Sequence, residues 1–243
     1  MKTKHFTYLI VIAFFISCKK ENMGDCFKST GPIKTETRSI SPFTKIITND
    51  NINLFIKQGP NLVLEVSGGE NILEFIKTEV ELNKLNISNQ NKCNWVRSFK
   101  KEINITITLP ELNEIEYYGS GDITFLNQFK TDEFYLNMFN ASGKADLNLN
   151  GSLIELKIHT GPSDIKATGI TDNIVLYNNG NGILDADNLQ AKDALAITAN
   201  TGKLKVNATD FIKAEITSRG DIILNGDPEI ELSNTGSGEL IRQ

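Results

Sequence analysis

The sequence is poor in the side chains from which most catalytic and metal sites are built. It holds two histidines, His5 and His159, three cysteines, Cys18, Cys26 and Cys93, and one tryptophan, Trp95. A Cys/His zinc site at the usual ligand spacing is excluded by so small a set. Neither a Gly-x-Ser-x-Gly elbow nor a His-Glu-x-x-His pair occurs, so the common hydrolase signatures are missing. Basic charge is short as well: 25 Lys and Arg stand against 30 Asp and Glu, a net charge of −5. A general nucleic-acid binder needs a cationic excess to neutralise phosphates, so no nucleic-acid partner is expected, and no cofactor motif is found.

A bilayer-spanning run is lacking too. The apolar stretch Phe6 to Ile16 has eleven residues, whereas a transmembrane helix needs ~20. Its length, its position at the N-terminus and the positive Lys2, Lys4 and His5 before it are those of a secretory leader. The end of the run, Phe15-Ile16-Ser17-Cys18, resembles the lipobox of bacterial lipoproteins, with small Ser17 before the cut and Phe15 in place of the usual leucine. That resemblance implies a leader over residues 1–17 and a lipidated Cys18 as the membrane contact. Two or more acyl chains, at ~0.8 kcal/mol per buried CH₂, would anchor the chain stably. The following Lys19-Lys20-Glu21-Asn22 partly resembles the signal that sends some Bacteroidetes lipoproteins to the outer face of the outer membrane. The expected location is therefore the outer membrane, on its periplasmic face or at the cell surface. With Cys18 acylated, Cys26 and Cys93 remain, and in an oxidising compartment they form either a disulfide or two separate thiols.

Residues 18–40 read as a lipidated tether, polar and broken by Gly24, Gly31 and Pro32. Residues 41–243 read as a single all-β domain. Over 41–110 short alternating segments are punctuated by turns, and a helix is expected at Glu70 to Phe75, where Ile72, Leu73 and Ile76 follow Gly68-Gly69. Over 111–243 the pattern is a repeat. Glycine-centred turns at Gly119-Ser120-Gly121, Ala141-Ser142-Gly143, Gly161-Pro162-Ser163, Gly180-Asn181-Gly182, Thr201-Gly202, Arg219-Gly220 and Gly236-Ser237-Gly238 each precede apolar residues at alternate positions. The first apolar residues, Ile123, Ala145, Ile165, Leu184, Leu204, Ile222 and Leu240, lie 22, 20, 19, 20, 18 and 18 residues apart. A second apolar pair sits midway: Phe134/Leu136, Leu156/Ile158, Ile174/Leu176, Leu195/Ile197, Ala214/Ile216 and Ile230/Leu232. A two-strand unit cannot bury its apolar face alone, but stacked copies can. The expected fold is thus a parallel β-helix, a solenoid with ~20-residue rungs after an irregular β part, its corner glycines placed for positive φ.

Gly-Ser-Gly-Asp-Ile at 119–123 and Gly-Ser-Gly-Glu-Leu at 236–240, set on that ladder behind a lipoprotein leader, resemble the head GIN-domain family, the auto-transporter adhesin class of Bacteroidetes exported proteins. The resemblance covers roughly residues 40–240 and implies a right-handed β-helix with an uncharacterised role.

Candidate chemistry is sparse. The turn acids Asp122, Asp164, Asp221 and Glu239 alternate with Lys144, Ile183 and Lys203, so they read as corner residues rather than an acidic catalytic row. Arg219-Gly220-Asp221 occupies the same corner slot. A calcium β-roll is rejected, since its repeat is nine residues with a double glycine. The most unusual composition is Asn91 to Glu102, where Lys92, Arg97, Lys100 and Lys101 surround Trp95 and Phe99. That segment either caps an open end of the solenoid or grips an anionic glycan or headgroup. The expected function is a non-enzymatic, lipid-anchored surface-interaction module, with a cell-surface glycan or protein, or a second copy of the chain, as partner. The rival is a carbohydrate-active β-helix enzyme, which needs facing carboxylates in a cleft, with Asp164 and Asp185 the nearest candidates.

Overall fold

A computed structural model describes residues 29–91 and 102–243 of the chain. Alternating segments become strands throughout. In the first part these are β1 (Ile33–Arg38), β2 (Lys45–Asp50), β3 (Asn53–Gln58), β4 (Val63–Gly69), β5 (Ile76–Glu81), β6 (Lys84–Asn89) and β7 (Asn104–Leu109). Next come β8 (Glu114–Gly119), β9 (Ile123–Phe125), β10 (Phe129–Lys130) and β11 (Glu133–Met138), then the long β12 (Lys144–Ile158), β13 (Asp164–Asn178), β14 (Leu184–Thr198) and β15 (Leu204–Ile216). The chain closes its last rung with β16 (Ile222–Asn225), β17 (Glu229–Asn234) and β18 (Leu240–Arg242).

After the irregular first part, the strands wind into a β-solenoid of about 6 turns. One wall runs β7, β3, β9, the first halves of β12 to β15, β16 and β18, all in parallel register. The second wall runs β6, β2, β8, β11, the second halves of β12 to β15, and β17, again parallel. Parallel pairing stacks like on like. Ile123, Ala145, Ile165, Leu184, Leu204 and Ile222 form one buried inner column. Each buried Leu or Ile of such a column contributes ~1.5–3 kcal/mol by leaving water.

The corner between walls is held by close backbone approach. A Cβ on Gly143 would lie 1.7 Å from the Gly121 carbonyl oxygen, and one on Gly182 would lie 1.8 Å from that of Ser163. On Gly202, Gly220 and Gly238 the same atom would fall 2.4, 2.2 and 2.3 Å from the oxygen one rung back. None of these five has positive φ, which among glycines of the described residues belongs to Gly31, Gly161, Gly169 and Gly226. The expectation of positive φ at the corners is thus corrected for most of them: the missing side chain, rather than the backbone angle, is what the site demands. Polar side chains from the end of the second wall satisfy the carbonyls that turn inward. Tyr117 donates to Gly121 O at 2.5 Å, Asn178 to Gly182 O and Lys203 O at 3.0 Å, Thr198 to Gly220 O at 2.9 Å, and Asn234 to Gly238 O at 2.9 Å.

Three further expectations change. Residues 33–38, assigned to the tether, form β1, antiparallel to β4. Arg38 fixes it by donating to Ile76 O at 2.5 Å and Leu73 O at 2.9 Å. The helix expected at Glu70 to Phe75 shrinks to one 3-10 turn, Leu73–Phe75, because the segment only crosses from β4 to β5 over the first rung, burying Ile72, Leu73 and Ile76. In β14 the inward pair is Ala194/Ala196, which pairs with Ile174/Leu176, and Leu195/Ile197 face outward. Every side chain of Ala-Leu-Ala-Ile is apolar, so alternation alone accepts either face, and the rung before it decides.

Replacing Gly182 by Ala should cost roughly 3 kcal/mol or more, because the clash is with backbone. Replacing exposed Lys203 in the same corner by Ala should cost under ~0.5 kcal/mol. Urea unfolding followed by circular dichroism separates the two.

Candidate interaction face

Three of the four turn acids, Asp122, Asp164 and Asp221, do structural work. Asp122 Oδ1 accepts from Lys144 N–H at 2.9 Å, Asp164 Oδ1 from Ile183 N–H at 2.9 Å and Asp221 Oδ1 from Glu239 N–H at 3.1 Å. Each carboxylate reaches forward one rung and satisfies an amide at the start of the next strand. Gly220 of the Arg219-Gly220-Asp221 tripeptide is packed in the corner with its carbonyl taken by Thr198. Asp185, on a wall rather than a corner, pairs with Lys205 at 2.8 Å. Asp164 and Asp185 therefore both have structural partners.

An open groove lies at the other bend, where β12 and β13 pass from one wall to the next. It holds about 890 Å³ between Pro110, Lys130, Asp132, Asn150, Ser152 and Asp172. Its carboxylates are partly engaged as well: Asp172 pairs with Lys192 at 2.7 Å, and Glu133 accepts from the Tyr135 hydroxyl at 2.8 Å.

The outer face of the second wall differs from both. Its residues form columns fixed by the parallel register. One column is Tyr135, Glu155, Val175, Leu195, Lys213 and Glu231, and the next is Asn137, Lys157, Tyr177, Ile197, Glu215 and Ser233. The two middle rungs of these columns, Val175/Tyr177 and Leu195/Ile197, are apolar yet point to solvent and remain partly exposed. Ion pairs frame them: Lys157 with Glu155 on one side, Lys213 with Glu215 at 3.4 Å and Glu231 at 3.5 Å on the other. Contiguous apolar surface rimmed by charge is what interaction sites on soluble domains look like. Sequence reading missed this face because it placed Leu195 and Ile197 in the core. The parity of the rung before, Ile174/Leu176 over Ala194/Ala196, was the signal available.

An aromatic row borders the face. Tyr118 stacks on Phe139 at 5.1 Å and 13°, and Phe139 on His159 at 4.2 Å and 7°. Parallel rings so close must lie face to face, so they present edges, not faces, to solvent. That geometry strengthens the ladder but offers no flat platform for a sugar. The His159 Nε2–H donates to Asn137 Oδ1 at 2.9 Å. Burial first, and then the charge of Lys157, hold the imidazole below its ordinary pKa of 6.5. His159 is thus a half-buried ladder member.

The remaining candidates, Cys18, Cys26, Cys93, Lys92, Trp95, Arg97, Phe99, Lys100 and Lys101, lie outside the described residues.

Because the folded pKa of His159 is depressed, the unfolded chain binds the extra proton first as pH falls. Stability from this group is full above 6.5 and declines below it. His159→Phe keeps the stack and removes the titration. Relative to wild type, the variant's melting temperature should improve as pH is lowered through 6.5; an unchanged difference across that range would refute the assignment.

Comparison with known proteins places the fold. No curated protein matches the chain in sequence. A solved structure described as a "putative adhesin" from Bacteroides fragilis superposes with TM-score 0.82 at 28% identity, covering 89% of this chain and 100% of that one. A "putative lipid binding protein" from Parabacteroides distasonis superposes with TM-score 0.67 at 23% identity, over 89% of this chain and 100% of that one. A further "putative adhesin", from Parabacteroides merdae, gives TM-score 0.66 at 16% identity, over 87% and 96%. The latter two bear on the fold alone. Residues 42–228 match the family described as "Putative auto-transporter adhesin, head GIN domain". With that match over most of its length, the chain belongs to the head GIN-domain family.

Proposed function

We propose that the protein is an exported, lipid-anchored interaction module that works without catalysis, presenting the outer face of its second wall to a macromolecular partner. The observation that carries this reading is the outward placement of Val175, Tyr177, Leu195 and Ile197 between framing ion pairs. The anchoring part of the proposal rests on the leader over residues 1–17 and the lipobox-like stretch ending at Cys18. Adhesin-family membership agrees with an exported or cell-surface setting. The enzyme reading draws no support from the fold, since Asp164 and Asp185 are held by a backbone amide and by Lys205.

Two measurements test the parts separately. Cys18→Ala should move the protein from the membrane to the soluble fraction, and a variant still sedimenting with membranes would refute lipid anchoring. Ile197→Asp, on cells producing the full chain, should reduce adherence to a layer of the same cells several-fold, with the protein's level unchanged. Full adherence would refute the face as the site of interaction.

A further inference from the structure

We propose that the partner taken by this face is a second copy of the same chain, docked wall to wall about a two-fold axis that runs parallel to the strands between β13 and β14. This rests on the interaction-face reading and names its occupant. A two-fold axis in the plane of the contact reverses the order of rungs while keeping the position along each strand. The rung of β12 then meets that of β15, and β13 meets β14. On β12 the outward sequence is Leu153, Glu155, Lys157; on β15 it is Phe211, Lys213, Glu215. The charges are opposite at matched positions. Glu155 of one copy faces Lys213 of the other, Lys157 faces Glu215, and apolar Leu153 faces apolar Phe211. The two central rungs bring Asn173 onto Asp193, Val175 onto Leu195 and Tyr177 onto Ile197.

An axis along the stack, midway between the two columns, would keep the rungs and reverse the strands, and it too would match charge, placing Glu155 over Lys157 and Lys213 over Glu215. It would set Leu153 against His159 and Phe211 against Thr217, however, whereas the axis along the strands sets these two apolar residues on each other, and only that axis opposes the outward pair of β12 to that of β15. In the free monomer Glu155 neutralises Lys157, and Lys213 is shared between Glu215 and Glu231. Docking joins a minus-plus pair to a plus-minus pair, so Glu155, Lys157, Lys213 and Glu215 each gain an opposite neighbour, while Glu231 meets Tyr135. One like-charge meeting arises, Glu133 against Glu229. Both are exposed at the rim, where salt screens such repulsion.

Size fits a reversible contact. Six rungs at ~4.8 Å and six-residue strands at ~3.3 Å per residue give a flat face of about 570 Å² on each copy, so roughly 1,100 Å² over both, near the lower limit for a specific interface. Self-association should therefore depend on concentration.

The experiment is sedimentation velocity of the full chain in mild detergent over a concentration series, with circular dichroism to confirm folding. Wild type should pass from monomer to dimer. Lys213→Glu and Glu155→Lys should each raise the dimer Kd by about tenfold or more. Combining the two substitutions makes the outward pair of β12 wholly positive and that of β15 wholly negative. Each β12 then meets a β15 of opposite sign, so the double variant should return to wild-type affinity or better. A purely structural role for these residues would not be rescued in this way. A wild type that stays monomeric overturns the proposal, and so does a double variant no better than the singles. If wild type is monomeric while Ile197→Asp still lowers cell adherence, the face stands and only its assigned partner falls.

Discussion

The tightest constraint in the fold is the contact between a corner glycine and the carbonyl oxygen of the rung before it. At Gly143, Gly182, Gly202, Gly220 and Gly238 there is no room for one further carbon. This closeness starts each rung directly above the last, and the register of every strand that follows is inherited from it. Parallel register then turns the repeat into columns, one set inward and one set outward. A side chain at the corner would separate the rungs, and the ladder hydrogen bonds on both walls would lengthen together. Tyr117, Asn178, Thr198 and Asn234 complete the arrangement by taking the carbonyls that a tight corner leaves pointing inside.

The same constraint explains where the acids went. A corner that approaches its neighbour so closely leaves an amide at the head of the next strand to be satisfied, and Asp122, Asp164 and Asp221 each reach forward one rung to do so. Carboxylates on a repeat invite a catalytic or calcium-binding interpretation, but here their spacing follows the rungs and their oxygens are engaged by backbone. What the ladder leaves free is the outside of the walls, where no close approach dictates the residue type.

Much of this architecture was legible from the chain. The 18- to 22-residue spacing of the first apolar column gave the rung length, and the six inner residues of that column are all buried. The glycines were visible, but their reason was not: close approach and positive φ select the same residue, and one sequence cannot separate them. β1 was hidden because Ile33-Lys34-Thr35-Glu36-Thr37-Arg38 carries one apolar residue, and that one is exposed. It is a covering edge strand, held by pairing and by Arg38 rather than by burial. The interaction face was concealed by ambiguity of another kind. Ala-Leu-Ala-Ile at 194–197 satisfies the alternation rule on both faces, and the larger residues drew the assignment inward. Trp95 and the cysteines Cys18, Cys26 and Cys93 lie outside the described residues.

The two ends of the solenoid bear on how such a module meets a partner. At the first rung the chain adds β1, β4 and β5 in antiparallel pairing and crosses from wall to wall through the 3-10 turn, covering the core with Ile72 and Leu73. An antiparallel cover interrupts the pattern that another parallel rung would extend, which is how sheet edges are protected from uncontrolled stacking. At the last rung Leu232 sits in an inward column yet is 48% exposed, above Ala214. End-to-end growth would need two matching parallel edges, and the first rung does not offer one. Contact through a wall has no such requirement. A flat face ruled into columns can match charge to charge over several rungs at once, and a face with opposite signs on either side of an apolar centre is complementary to its own two-fold image. The periodicity that builds the core thus also rules the surface, and the residues that break its polar pattern, Val175, Tyr177, Leu195 and Ile197, lie at the centre of that match.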